Sequence, residues 1–308
     1  MSSTKTFATI RSDFTSKGVR CSGDLYLPAG IHRPPVVVMA HGFAAERRFG
    51  LPAYAECFAG RGLATLLFDY RGFGDSDGQP SQFVDARRHL ADWQAAVAHV
   101  RALQEVDGSR LALWGTSFSG GHAMVTAAND PHVMALVAQV PYVDPLGLWF
   151  WTDPQYVVRA LSHGLKDLLR AVTRRPPHYI QVAGRPGEFA LLNTPETWPG
   201  FQSILPEGAT WDNRCLARIV LTVLFYRPAS SATRISCPAL IMNGEHDSLI
   251  RAASVARAAA RMPDATAIMV PQGHFDIYTG EEFAAASEMQ AEFLELHLQS
   301  SAQRRRNP

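Results

Sequence analysis

The chain has 308 residues, of which 47% are hydrophobic and 19% are charged. This balance is typical of a compact globular protein and excludes a disordered one. The 29 basic and 28 acidic residues leave a net charge of +1, which argues against nucleic-acid binding because such surfaces concentrate positive charge. The longest apolar runs are too short to span a bilayer and the N-terminus lacks a secretory signal. We therefore expect a cytoplasmic protein without a membrane span.

The four cysteines indicate no structural site. Cys21, Cys57, Cys215 and Cys237 form no CxxC pair, and none lies near histidines at metal-ligand spacing. We therefore expect neither a zinc site nor a disulfide framework.

The first part of the chain predicts several strands and one helix. Residues 5–13 and 19–28 alternate between apolar and polar types and are broken by Gly or Pro, which favours extended segments. The apolar runs 36–40 and 63–70 predict two strands buried on both faces, with a helix at 50–60 between them.

The same alternation continues to the C-terminus. Apolar residues at steps of three and four predict amphipathic helices, and short apolar runs predict further buried strands. The predicted helices are 83–103, 120–128, 251–261 and 281–298, and the predicted strands are 110–115, 134–140, 238–244 and 265–270. In the last helix, Phe283, Ala286, Met289, Phe293 and Leu296 are predicted to share one face. This order predicts an α/β fold with a mostly parallel sheet covered by helices on both faces.

Residues 142–233 interrupt the alternation. They hold four of the six tryptophans, and a structureless loop of this length is improbable inside a compact domain. We predict an inserted, largely helical cap over 142–233, seated on a core formed by 1–141 and 234–308. Its first helix has an apolar pattern through Val157, Leu161, Leu165, Leu168 and Val172, and its basic residues are Arg159, Lys166, Arg170, Arg174 and Arg175. We interpret these basic residues as a solvated face rather than a membrane or acidic-substrate contact.

The stretch LALWGTSFSGG, residues 111–121, predicts a nucleophile. A predicted strand turns at Ser117 directly into a predicted helix, and so sharp a turn needs small residues two positions away on each side. Gly115 and Ser119 meet this requirement, although Ser119 stands where the usual G-x-S-x-G pattern has its second glycine. The alternative interpretation is that Ser117 only caps the helix.

A nucleophilic serine needs a base and an acid that orients the base. His274 follows the predicted strand 265–270, and Asp247 follows the strand 238–244, in the chain order serine, acid, histidine. Both lie at carboxyl ends of strands, where open α/β sheets place their sites. Glu245 and Asp144 remain alternative acids. We interpret Asp276 as a helix-start or supporting residue, and His246, His122, His89 and His99 as surface or helix histidines.

An acyl-transfer serine also needs donors for the oxyanion that develops on the attacked carbonyl. His41, Gly42 and Phe43 follow the first buried strand, and a glycine there lets the next amide point inward. We assign the backbone N–H groups of Phe43 and Phe118 to this oxyanion hole.

Five motifs together resemble the α/β-hydrolase fold superfamily. They are His41-Gly42-Phe43, DYRGFGDSDG (69–78), GTSFSGG (115–121), NGEHD (243–247) and QGHFD (272–276). The resemblance covers roughly 20–141 and 234–298, and it is closest to the bacterial serine esterase, dienelactone-hydrolase-like and X-prolyl-peptidase-like branches. It implies an α/β-hydrolase fold with a Ser117–Asp247–His274 triad, an oxyanion hole from Phe43 and Phe118, and neither a metal nor an organic cofactor. It does not fix the substrate, because one fold hosts many chemistries.

The segment 69–76 has two interpretations. Arg71 is a substrate clamp in one of them. In the other, which we favour, Asp69 and Asp75 hold the loop through hydrogen bonds to backbone amides.

The leading functional hypothesis is a serine hydrolase acting on a carboxylic ester or thioester of a small-molecule acyl substrate. The pocket is expected to include His41, Trp149 and Trp151, because an apolar cap over a polar triad excludes water. A peptidase or amidase, and an acyltransferase or tailoring enzyme, would use the same triad. A non-catalytic binding protein of this fold is the alternative from another class. A homo-oligomer remains possible.

Overall fold

An eight-stranded sheet forms the centre of the computed structural model, which describes residues 6–145 and 154–298. Its strands are β1 (Phe7–Arg11), β4 (Gly23–Pro28), β5 (Pro35–Ala40), β6 (Ala64–Phe68), β7 (Asp107–Thr116), β8 (Ala135–Gln139), β11 (Ala239–Gly244) and β12 (Ala265–Val270). Two small two-stranded sheets accompany it, formed by β2 (Phe14–Ser16) with β3 (Val19–Cys21) and by β9 (Tyr179–Gln181) with β10 (Arg214–Leu216).

The sheet order is β1-β4-β6-β5-β7-β8-β11-β12. The six strands from β6 to β12 in this order are parallel, and β4 and β1 add antiparallel strands at one edge. Every residue of β5, β6, β8 and β11 is buried, as continuous apolar strands between two helical layers should be. The predicted mostly parallel, doubly wound sheet is confirmed.

Helices pack on both faces of the sheet. They are α1 (Leu51–Gly60), α2 (Ala86–Ala102), α3 (Phe118–Ala128), α7 (Ala252–Ala259) and α8 (Gly280–Leu298). Three more, α4 (Pro154–Val172), α5 (Thr197–Ile204) and α6 (Ile219–Thr222), lie in the connection between β8 and β11. Neighbouring residues of β7 face opposite helical layers, because side chains alternate across a strand. Trp114 donates a hydrogen bond to Gln290 of α8, whereas a Cβ atom at Gly115 would lie 2.9 Å from that of Ala123 in α3.

Two details of the predicted C-terminal half are wrong. Strand β12 is not buried: it forms the edge of the sheet, and its residues are exposed or half-buried. In α8, Met289 and Leu296 are exposed, and the buried face instead contains Gln290, Ala291 and Leu294. The face shifts because the buried Gln290 amide bonds both Trp114 and Gln139, at 2.7 Å each.

The long connection, which we define as residues 140–238 between β8 and β11, has structure of its own. Its described part contains α4, α5, α6, β9 and β10. In α4 the buried residues are Ala160, Gly164 and Asp167, so most of the predicted apolar pattern faces solvent instead. None of the helices within the described ranges combines the length and apolar character that crossing a membrane requires.

Candidate active site

Ser117 lies at the sharp turn between β7 and α3. Its backbone has φ of 55° and ψ of -124°, a region that residues other than glycine rarely occupy and that is concentrated at functional sites. The turn is so tight that a Cβ atom at Gly115 would lie 2.3 Å from the carbonyl oxygen of Ser119. Glycine is therefore required at 115, whereas the small, fully buried Ser119 is accommodated at the other side.

The structure brings Ser117, His274 and Asp247 into one hydrogen-bonded row. Nε2 of His274 lies 3.1 Å from Oγ of Ser117, and Nδ1 of His274 lies 2.7 Å from Oδ2 of Asp247. The other oxygen of Asp247 accepts the backbone N–H groups of Leu249 and Ile250, at 2.8 and 2.7 Å. The carboxylate is thus fixed through both oxygens, and it holds the imidazole toward the serine.

The surroundings of His274 favour its protonated form. Burial of the ring opposes a positive charge, but the carboxylates of Asp247 and Glu196 outweigh burial, so the pKa of His274 is raised above its ordinary value. A histidine whose protonated form is stabilised by neighbouring carboxylates is suited to accept a proton from a serine hydroxyl.

Glu196 of the long connection contacts both loops that carry these partners. Oε1 accepts the backbone N–H of Ser248 at 2.6 Å, and Oε2 accepts the backbone N–H of His274 at 2.7 Å. The hydroxyl of Ser248 also donates to Oε1. One carboxylate therefore ties the loop after Asp247 to the loop of His274. No sequence motif points to Glu196, because its partners belong to Ser248 and His274, which lie far away along the chain.

The residues expected to form an oxyanion hole lie beside Ser117. A Cβ atom at Gly42 would lie 3.1 Å from Cβ of Ser117, so the chain after β5 approaches the serine closely. The rings of Phe43 and Phe118 meet edge to face, with centroids 5.4 Å apart. Phe118 is the first residue of α3, and the N–H groups of a helix's first turn have no partner within the helix.

His41 is buried next to this turn. Its Nδ1 lies 3.0 Å from the carbonyl oxygen of Gly42, and its Nε2 lies 3.7 Å from Oδ1 of Asp69. Burial, only partly offset by Asp69, lowers the pKa of His41. The ring is therefore neutral near pH 7 and shapes the wall of the site without a charge.

A buried polar cluster supports the turn from behind. The hydroxyl of Tyr70 lies 2.7 Å from that of Ser119 and accepts the indole N–H of Trp93 at 2.9 Å. Next to it, Nδ1 of His89 lies 3.3 Å from Nε2 of His122. Both histidines are on helices, as predicted, but they are buried rather than on the surface. Burial lowers the pKa of His122 to about 3 and that of His89 well below its ordinary value, so this cluster is uncharged.

The loop after β6 is held by ion pairs. Arg71 binds the buried Asp92 through its side chain and its backbone N–H, which is a structural contact. Asp69 accepts the backbone N–H groups of Arg47 at 2.7 Å and Asp75 at 3.2 Å, as the favoured interpretation required, and also pairs with the Arg47 guanidinium. The side chain of Asp75 bonds the Arg47 guanidinium at 2.8 Å instead of a backbone amide.

The alternative residues lie elsewhere. Glu245 and His246 are exposed, and Asp247 is the acid at Nδ1 of His274, so neither Glu245 nor Asp144 occupies that position. Asp276 accepts the backbone N–H of Gly273 at 2.8 Å, which fits its predicted local role. Nε2 of His99 lies 2.8 Å from the hydroxyl oxygen of Ser12.

Two cavities meet at Ser117. The first is apolar in its described lining apart from Ser117 and Tyr142, and it is formed by Phe43, Phe118, Leu191, Leu192, Ile219, Val220, Val223, Leu249 and Ile250. The second extends past His41, Gly42 and His274 toward Phe201, Ile204 and Phe275. Ser117, Phe43, Leu192 and Leu249 line both, so the serine lies between two spaces. Of the expected pocket residues, His41 lines the second cavity, and Trp149 and Trp151 lie outside the described residues.

Comparison with known proteins relates the chain to one family along most of its length. The family model described as "Serine aminopeptidase, S33" matches residues 32–280. The chain is 37% identical over 281 residues to the "Quorum-quenching protein AidA" of Acinetobacter baumannii, covering 91% of this chain and 92% of that one. It is 27% identical over 289 residues to the "Polyketide transferase grgF" of a Penicillium species, covering 92% and 95%. The crystal structure of the "Alpha/beta hydrolase GrgF" superposes with a TM-score of 0.80 at 25% identity, covering 94% of this chain and 99% of that one.

Proposed function

Since the chain belongs to this family of α/β hydrolases, we propose that it is a serine hydrolase that cleaves a carboxylic ester or thioester of an apolar acyl group. The observation that carries the proposal is the row of contacts from Ser117 through His274 to Asp247, with distances of 3.1 and 2.7 Å. These are the contacts that let one imidazole take the serine proton while a carboxylate holds the ring.

The proposed reaction has two halves. His274 accepts the Ser117 proton while Oγ attacks the substrate carbonyl carbon, and the N–H groups of Phe43 and Phe118 donate to the oxyanion. His274 then protonates the leaving alcohol or thiol as its bond to the acyl carbon breaks. In the second half His274 deprotonates a water molecule, which attacks the acyl-enzyme. His274 then returns this proton to Oγ of Ser117 as the bond from Oγ to the acyl carbon breaks and the acid leaves.

The apolar cavity supports an aliphatic or aromatic acyl group as the substrate. Its walls come from the long connection and from the residues after Asp247, and burying apolar substrate surface there is favourable. We assign the acyl group to this cavity and the leaving group to the second. In this arrangement residues 142–233 act as a cap over the triad.

An ester or thioester is favoured over a peptide. An aminopeptidase needs an unpaired carboxylate for the substrate's ammonium group, and the described lining of the apolar cavity contains no acidic residue. Glu196 is close to His274, but both its oxygens already accept protein N–H groups.

Acyl transfer to an acceptor other than water is the second candidate. It rests on the likeness to the polyketide transferase, and it needs the same acyl-enzyme. The two reactions differ only in whether water or another nucleophile attacks it.

The test is a comparison of wild-type protein with Ser117→Ala. We expect wild type to cleave p-nitrophenyl esters and acyl thioesters faster than aminoacyl p-nitroanilides. The S117A variant should lose roughly 10⁴-fold or more in kcat, as other triad removals do. Ser203→Ala, at an exposed serine of α5, is the matched control and should keep full activity.

Two further measurements separate the alternatives. An added alcohol or amine that diverts most acyl groups from free acid to a new ester or amide would identify a transferase. Undiminished ester cleavage by S117A would refute the triad assignment. A fluorophosphonate that fails to label Ser117, together with no ester or thioester cleavage by wild type, would favour a binding protein.

A further inference from the structure

The two cavities that meet at Ser117 differ in their relation to His274, which lines the second cavity and not the first. When the acyl-enzyme forms, the bond between the acyl carbon and the leaving atom breaks, and its electron pair stays on the leaving atom. That atom takes the proton that Nε2 of His274 received from Ser117. The leaving group must therefore lie on the side of the second cavity, an assignment that rests on the proposed function.

The walls of the two cavities differ in chemical character. The rings of Phe49, Phe201, Phe275 and Tyr278 line the second cavity, and none of these four lines the first. The first cavity instead has mostly aliphatic walls. Those that it does not share with the second are Leu191, Ile219, Val220, Val223 and Ile250. The space beside His274 is therefore the aromatic one.

The rings of the second cavity hold one another in place. Phe201 of α5 stacks on Trp211 with ring centroids 4.4 Å apart, and it meets Phe275 at 5.2 Å. Phe275 in turn meets the imidazole of His274 edge to face, also at 5.2 Å. A continuous row of rings thus extends from the base to the wall on α5. Packed side chains of this kind are already ordered before a ligand enters, which lowers the cost of binding.

The second cavity offers little to a charged leaving group. Its described lining contains no Asp, Glu, Lys or Arg side chain. The hydroxyls of Thr116 and Tyr278 bond each other, and Nδ1 of His41 lies 3.0 Å from the carbonyl oxygen of Gly42. Burial of a charge or an unpaired polar group there is costly, whereas burial of an uncharged ring is favourable.

We propose that the leaving group is an alcohol or thiol that carries an uncharged aromatic ring, and that the acyl group is aliphatic. The aromatic ring lies among Phe201, Phe275 and Tyr278, which it can meet edge to face or in an offset stack. A saturated ring of the same size is buried as well but lacks these ring contacts. They contribute about three- to tenfold to a rate or an equilibrium.

The experiment compares esters that differ only in the kind of ring and in its position. Benzyl pentanoate and cyclohexylmethyl pentanoate carry the ring on the leaving group, and butyl phenylacetate and butyl cyclohexylacetate carry it on the acyl group. Each kcat/KM is divided by the rate constant for hydrolysis of the same ester by hydroxide, which removes differences in intrinsic reactivity. We expect wild type to prefer benzyl pentanoate three- to tenfold over its cyclohexyl counterpart, and to show no preference for the phenyl ring on the acyl side.

Two variants test the aromatic wall. Phe201→Leu removes one ring of the second cavity and keeps an apolar side chain there. Phe225→Leu is the matched control, because Phe225 is 84% exposed on the same long connection and lines neither cavity. We expect F201L to lower the preference for benzyl pentanoate at least twofold and F225L to retain it, with the folding of both checked by circular dichroism.

Three outcomes would overturn this inference and leave the proposed hydrolase intact. They are equal corrected rates for the two pentanoates, a phenyl preference as large on the acyl side, and a folded F201L that keeps the full wild-type preference. If F201L does not fold, the wild-type ratios alone decide. Cleavage of p-nitrophenyl pentanoate without cleavage of benzyl pentanoate would also overturn the inference. A folded wild type that cleaves none of the five esters would overturn the proposed function itself, and this inference with it.

Discussion

Replacement of Glu196 should slow the reaction and shift its pH dependence, although Glu196 contacts neither the nucleophile nor the substrate cavity. Its carboxylate accepts the backbone N–H groups of Ser248 and His274 and so fixes both triad loops relative to each other. In Glu196→Gln the single amide oxygen retains one of these bonds. The NH2 group then faces the other backbone N–H, and two donors cannot form a hydrogen bond with each other.

The magnitude follows from the bond that is lost. A hydrogen bond to a charged group contributes about 1.5–3 kcal/mol, and each 1.36 kcal/mol is tenfold in rate. If the loss is expressed as misplacement of His274, kcat should fall about 10- to 100-fold while KM for an ester changes little. Loss of the negative charge also lowers the raised pKa of His274, to which Glu196 contributes. Since His274 must be deprotonated to act as a base, the acidic limb of kcat/KM should move to lower pH.

The assay is the pH profile of kcat/KM for one p-nitrophenyl ester, measured for wild type, E196Q, Glu196→Ala and Glu207→Gln. Glu207 is exposed on the long connection, so E207Q is a charge-matched control that should retain the wild-type profile. E196A loses both bonds and should be slower than E196Q, with its acidic limb shifted in the same direction. An E196Q profile that coincides with wild type would refute the positioning role, whereas a lower kcat with an unmoved limb would refute only the electrostatic part.

Three further changes test other parts of the site. Asp247→Asn should lower kcat about 10⁴-fold, because the imidazole is then held in the wrong tautomer; near-normal turnover of a folded D247N would exclude Asp247 as the orienting acid. Leu192→Trp should reduce kcat/KM for long acyl esters at least tenfold more than for acetyl esters, since Leu192 lines both cavities; an equal loss for all chain lengths would contradict the acyl assignment. Arg47→Met leaves the buried Asp69 carboxylate without its guanidinium and should lower the free energy of unfolding by about 3–5 kcal/mol. Urea denaturation measures this change. A loss below about 1 kcal/mol, which is what an exposed ion pair contributes at most in the usual case, would show that the pair is solvated.

The central strands could be predicted because burial on both faces leaves a simple pattern. Runs such as 36–40 and 238–244 are apolar without alternation, and β5 and β11 are fully buried. The run 265–270 has a similar composition, yet β12 has only one neighbouring strand, and its residues are half-buried or exposed. Composition alone does not tell which strand lies at the edge of a sheet, because that depends on the order of strands in space.

The face of α8 could not be predicted for a different reason. Its pattern of apolar residues pointed to Met289 and Leu296, but a polar residue, Gln290, lies at the centre of the buried face. Its amide is satisfied by Trp114 and Gln139, and a buried polar group costs little once it is hydrogen-bonded. Such partners belong to distant strands and leave no local signal.

The row of Ser117, Asp247 and His274 was predictable because each residue follows a strand of one parallel sheet, and parallel strands bring their carboxyl ends to the same edge. Glu196 and the apolar cavity walls were not, since they come from the long connection, whose contacts no strand order dictates. The long connection therefore supplies both a carboxylate that raises the pKa of His274 and five of the cavity's apolar residues. Changes in this one segment would alter base strength and acyl selectivity together while leaving the strand-end residues untouched.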